Sequence, residues 1–191
     1  MNQTLVGALR PEVREALHPD IIERLNKIDK TDFSMVFYKT KKELAKRGID
    51  SSDERVNTLI FALKQYYAVA LLDPLNGHAV SILVDDPWHM HVLDTKAYAA
   101  FCNEIFGNVL PHVHLNFGNT VQVSEIRTLY SYTVEMLGKM FSHVSAEMYP
   151  SPEGAPDEEV LICYHYRVED PAIQSHALFP LDVRGRLIAL A

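Results

Sequence analysis

The sequence predicts a mainly α fold: a compact multi-helix domain over residues 1–150, then a C-terminal extension, 151–191, with a short β element. Three observations carry this reading. Apolar residues up to Met148 recur at three- and four-residue spacing, the mark of helices with one buried stripe. The breaks between these segments fall at Pro, Asp, Ser, Asn and Gly, the residues that start and stop helices. Beyond Pro150 the spacing changes: Val160, Ile162, Tyr164, Tyr166 and Val168 alternate with other residues, as in a strand.

The elements follow in order. Pro11 and Pro19 each occupy a first helical position, and Ile21, Ile22, Leu25 and Ile28 form one stripe behind the second of them. Asp32 caps a helix to about Arg47, with Phe33, Val36, Phe37 and Leu44 inward and Gly48 as its stop. Ser51 and Glu54 have the spacing of a capping box before Val56, Leu59, Ile60, Leu63 and Tyr67. That helix should end near Leu72, ahead of Asp73-Pro74 and the Asn76-Gly77 turn. Pro87 suggests a fourth helix from Asp86 to Phe106, closed by Gly107, and a fifth runs from about Ser124 to Met148. Leu181–Leu190 is the expected partner of the strand around Tyr164.

The chain of 191 residues has a net charge of −7, which argues against a nucleic-acid or anionic-membrane surface built on bulk charge. Its longest apolar stretch, Tyr66–Leu72, falls far short of the roughly 20 residues that span a bilayer. No basic segment followed by an apolar run marks a signal peptide, so a cytoplasmic location is expected. Two cysteines give no disulfide framework. Lys96 is the sole Lys or Arg between Gln65 and Ile126, whereas six of the nine histidines lie between positions 78 and 143. A stretch poor in cations and rich in imidazole and carboxylate is permissive for a bound cation.

Asp85, Asp86, His89, His91, Asp94, His112 and His114 fall within 30 residues. Imidazole and carboxylate are the ligand set of zinc, iron and manganese. Asp85 and His89, four apart, share a helical face; His112 and His114 share one face if that piece is extended. His89 and His91 lie about 200° apart on a regular helix, so one of them can bind while the other is structural. The candidate ligands are Asp85, His89, His91 and His112, with His114 as a substitute. The competing reading makes Trp88 core and leaves each imidazole satisfied by protein.

Trp88-His89-Met90-His91-Val92-Leu93-Asp94-Thr95, Tyr98 and Cys102 four apart, Phe106-Gly107 and His112 resemble bacterial members of the glycine-rich domain-containing protein-like family. The resemblance runs over about 56–150 and is specific at 84–112; Pro111 stands where those members place the first of two histidines. It implies motif and core roles for Trp88, Leu93, Asp94, Thr95, Tyr98, Cys102 and Gly107, and no catalytic residue.

Elsewhere, Cys102 reads as a buried thiol, Cys163 with His165 as a possible pair on one strand face, and Lys39, Lys41, Lys42, Lys46 and Arg47 as a solvated helix face or a docking face for an acidic partner. The first functional reading is a cytosolic helical binding or structural module with a protein partner. One alternative is a metal-dependent enzyme or metal-binding protein using zinc, iron or manganese. The other is an assembly protein that forms homo-oligomers through its C-terminal strands. Neither nucleic acid nor membrane is an expected partner.

Overall fold

The computed structural model describes residues 4–153 and 163–179. Over these residues the chain forms nine helices and three short strands: α1 (Leu5–Ala8), α2 (Pro11–Ala16), α3 (Pro19–Lys30), α4 (Ser34–Lys46), α5 (Asp53–Leu72), β1 (His78–Ala79), α6 (Ile82–Val92), α7 (Thr95–Phe106), β2 (Val113–His114), α8 (Thr120–Met140), β3 (Cys163–His165) and α9 (Pro171–Gln174). The mainly α class follows directly from the helical spacing.

The centre of the fold is α5. Thirteen of its twenty residues are buried, among them Leu59, Leu63, Tyr66, Tyr67 and Val69, so it is covered on nearly every side. It packs against α1, α3, α4, α6 and α8. A helix so enclosed makes each large-to-small change expensive: Leu63→Ala should cost about 2–5 kcal/mol. The N-terminal segment is tied to the end of α8, with Arg10 N donating to the Met140 carbonyl at 2.9 Å and Ser142 N to the Ala8 carbonyl at 3.0 Å.

The three strands form one antiparallel sheet in the order β1-β3-β2. His78 stands opposite His165 and Ala79 opposite Tyr164; Val113 stands opposite Tyr164 and His114 opposite Cys163. β3 is therefore central, with both edges occupied. The strand expected around Tyr164 is present over Cys163–His165, but within the described residues its partners are β1 and β2, which the sequence pattern did not mark as strands. Leu181–Leu190 lies outside the described residues. Cys163–His165 is thus paired within the chain on both edges.

Several boundaries differ from expectation, each for a local reason. Ser52, not Ser51, caps α5 by accepting from Arg55 N. The single helix expected over Asp86–Phe106 is two. Ser81 starts α6 by accepting from Val84 N, which places Pro87 inside the helix, and Asp94 caps α7 by accepting from Ala97 N. Pro87 lacks the N–H that the Leu83 carbonyl would receive, a loss the helix tolerates while Pro87 itself is buried. The last long helix runs Thr120–Met140 rather than to Met148, because Phe141 turns extended and bridges to Leu9. Gly107 ends α7 at φ 75°, a left-handed conformation that suits glycine.

Candidate functional site

Local sequence builds two facing surfaces. On α6, Asp85, Trp88 and His89 recur at i, i+3 and i+4 and so share one stripe. On the sheet, directly opposed residues share a face, and so do residues two apart. His114 with Cys163, and His165 with His78, therefore lie on one side of the sheet. His112, two residues before His114, extends that row, and its ring lies 4.8 Å from that of His114.

Where the surfaces meet, four side chains of the histidine-rich segment converge. The Asp85 carboxylate and His112 Nε2 share a hydrogen bond at 2.8 Å, with both side chains nearly buried. The His89 ring stands 5.6 Å from that of His112 and 6.0 Å from that of His114. One ligating nitrogen from each of His89, His112 and His114 falls in a group spanning at most 4.8 Å; Asp85, His112 and Cys163 form a second such group. The two groups share His112. Exposure rises across the cluster from buried Asp85 and Cys163, through half-buried His89, to exposed His114. The Cys163 sulfur lies 3.3 Å from His114 Nδ1. Burial, then the neighbouring Asp85 carboxylate, pushes that thiol's pKa well above its ordinary value.

His91 is placed elsewhere. Its ring packs among Phe33, Tyr67, Tyr98 and Phe101, at 5.0–5.9 Å between centroids, and its Nδ1 shares a 2.9 Å hydrogen bond with the Tyr67 hydroxyl. Burial lowers its pKa to about 4 against a smaller opposing pull from Asp94. Angular spacing on α6 explains the separation: with His89 facing the sheet, His91 must face the helical core.

The other motif residues frame the cluster. Trp88 is fully buried, stands edge-on to His112 at 4.4 Å, and donates from Nε1 to the Tyr98 hydroxyl at 3.1 Å. Tyr98 in turn donates to the Leu110 carbonyl at 2.7 Å, which fixes the segment leading into His112. Cys102 is buried, and burial raises its thiol pKa to about 11, so it is poorly disposed to act as a nucleophile. Leu93 departs from the expected core role: it is exposed at the break between α6 and α7, where Asp94 serves as cap and Thr95 as first helical residue. At the C-cap of α4, Arg47 pairs through both terminal nitrogens with Asp86, and on α4 itself Lys41 pairs with Asp53 and Lys46 with Glu43, so part of the basic face is neutralised within the chain.

A family model matches residues 23–134, from within α3 to within α8, more than half of the chain. The chain belongs to the UCP032817-like family. This corrects the resemblance to the glycine-rich domain-containing protein-like family, which rested on an ordered motif over 84–112, whereas the UCP032817-like model aligns a far longer stretch. No curated protein and no solved structure matches the chain. Asp85, His89, His112 and His114 all lie within the UCP032817-like span, and Cys163 lies beyond it.

Three groupings were not legible in advance. Cys163 faces His114 and Asp85, whereas the sequence suggested only His165 as its partner; the antiparallel register of β2 and β3 creates that neighbourhood, and no local pattern encodes it. His165 is fully buried with its Nδ1 on the Tyr166 carbonyl, and burial, then His78, lowers its pKa to about 3. Behind it, Asp73 accepts from Tyr132 at 2.7 Å and Asn76 at 2.8 Å and lies 3.2 Å from His78 Nε2. Burial opposes charge on Asp73, but His78, Tyr132 and Asn76 outweigh it and hold the carboxyl below its usual pKa. The third grouping, His18, Asp20 and His176, is at the surface. The two imidazoles there stack at 3.9 Å and 10°, and near-parallel rings do not aim their lone pairs at a common point.

Proposed function

We propose that the protein binds a transition-metal dication, zinc foremost, through His89, His112 and His114. The observation that carries this is the convergence of one ligating nitrogen from each of three histidines within 4.8 Å, from a helix and a sheet that the fold holds face to face. Imidazole suits zinc, iron, copper and nickel better than magnesium or calcium. Three histidine ligands leave a fourth position on a tetrahedral ion. Asp85 supports the reading by holding His112 through Nε2, which leaves Nδ1 for an ion; carboxylates orient metal-bound histidines in this way.

A second reading has its own observation. The Asp85–His112 hydrogen bond and the Cys163–His114 contact stand without an ion, so the cluster can serve as a polar fastener between α6 and the sheet in a binding or structural module. One experiment separates the two: elemental analysis and zinc titration of untagged protein prepared without chelator, with His112→Ala alongside. Near-stoichiometric metal that disappears in the variant supports the metal reading. A folded wild type that takes up no zinc overturns it and leaves the fastener.

A further inference from the structure

We propose that Cys163 supplies a thiolate ligand to the ion, an inference that rests on the metal reading above. Cys163 lies on the central strand of the sheet, fully buried. Its sulfur sits 3.3 Å from His114 Nδ1, and it shares with Asp85 and His112 a group of ligating atoms no wider than 4.8 Å. Neighbouring ligands of a tetrahedral zinc, with bonds of about 2.0–2.1 Å to nitrogen and 2.3 Å to sulfur, stand roughly 3.3–3.6 Å apart. The Cys163–His114 pair, at 3.3 Å, is within about 0.3 Å of a nitrogen–sulfur edge. His112 belongs to both groups, and Cys163 touches His114 directly, so the sulfur borders the three-histidine group.

The chemistry is proton exchange without redox change. The S–H bond breaks, an S–metal bond forms, and the proton leaves to solvent past exposed His114. A dication at this place reverses the local preference for the neutral thiol, because a coordinating thiol is deprotonated outright. The thiolate also narrows the ion class: a sulfur ligand beside imidazoles favours zinc, cobalt and copper over the hard cations magnesium, calcium and manganese.

Cobalt(II) is the probe, since a cobalt–thiolate bond gives a near-ultraviolet charge-transfer band while imidazole-bound cobalt shows visible bands alone. The full chain is titrated as wild type, Cys102→Ser and Cys163→Ser, with folding checked by circular dichroism. The expected result is a charge-transfer band in the wild type and in Cys102→Ser. In Cys163→Ser the band is absent, the visible bands are retained, and zinc affinity falls at least as far as the 10–100-fold that loss of an orienting partner costs. Visible bands without the charge-transfer band in the wild type overturn the thiolate and leave the histidine site standing. A wild type that binds neither cobalt nor zinc overturns both. Should Cys163→Ser fail to fold, the wild-type and Cys102→Ser spectra still decide the question.

Discussion

Acid should destabilise this fold through His91, and the size of the effect can be worked from the ring's surroundings. In the unfolded chain the imidazole titrates near 6.5; in the fold, burial among Phe33, Tyr67, Tyr98 and Phe101 brings it to about 4. Between these values the unfolded chain holds a proton that the folded chain does not, so stability falls as pH falls through this window. The gap of roughly 2.5 pH units, at 1.36 kcal/mol per unit, is about 3 kcal/mol. The informative perturbation is Tyr67→Phe with His91→Phe, because His91→Phe alone strands the Tyr67 hydroxyl and costs about 1–3 kcal/mol for reasons unrelated to charge. Urea unfolding at pH 7 and pH 4, in chelator, is followed by the fluorescence of Trp88, the single tryptophan and fully buried. Other buried histidines act equally in both proteins, so the difference in acid sensitivity isolates His91. The paired variant should lose about 3 kcal/mol less than the wild type between these pH values, with zinc uptake unchanged. Equal losses in the two proteins would show that His91 is charged or exposed in the fold, and the placement argued here would fail.

Three further outcomes are expected. Asp85→Asn should lower zinc affinity about 10–100-fold in calorimetric titration, because it weakens the group that orients His112. Gly107→Ala should destabilise by about 1–2 kcal/mol from its left-handed backbone alone, and by more because the added carbon would meet Asp170 Oδ2 at 2.2 Å; Asp170→Ala in that background should recover Tm only in part, since it removes the carboxylate in the way together with the cap that Asp170 gives Ala172 N. Asp73→Ala should cost about 3–5 kcal/mol in urea unfolding, since it leaves buried His78, Asn76 and Tyr132 without their shared acceptor.

The helices were readable because their signals are local. Pro11 and Pro19 do start α2 and α3, and Leu72 ends α5 ahead of Asp73-Pro74. Gly48 and Gly107 follow the ends of α4 and α7 with positive φ. Pro87 misled because proline at a first helical position and proline inside a helix look alike in sequence; Ser81, six residues upstream, was the cap that decided between them. The site divided along the same line. Asp85 with His89, and His112 with His114, were visible as pairs from helical and extended periodicity. Their approach to each other, and the arrival of Cys163, depend on strands of two and three residues whose pairing is entirely nonlocal. Strands that short carry no periodicity to read.

That nonlocal pairing also says how the site depends on the fold. Asp85 and His89 belong to α6, His112 and His114 to the β2 segment, and Cys163 to β3. The first four lie within the UCP032817-like span of residues 23–134, and the thiol comes from beyond it. The family-matched part of this chain therefore contains the three imidazoles and Asp85, while Cys163 comes from β3, which lies between β1 and β2. β1 lies against α8, and α6 packs against α5, so the two surfaces that form the cluster are each fastened independently to the helical core. Because the ligating atoms come from three separately anchored elements, an ion that bridges them binds the folded arrangement and not the unfolded chain. Its binding energy then adds to fold stability, about 2.7 kcal/mol when free metal is 100 times its dissociation constant. On the metal reading, binding and folding are coupled by topology, because the sulfur reaches the site only through the pairing of β3 with β1 and β2.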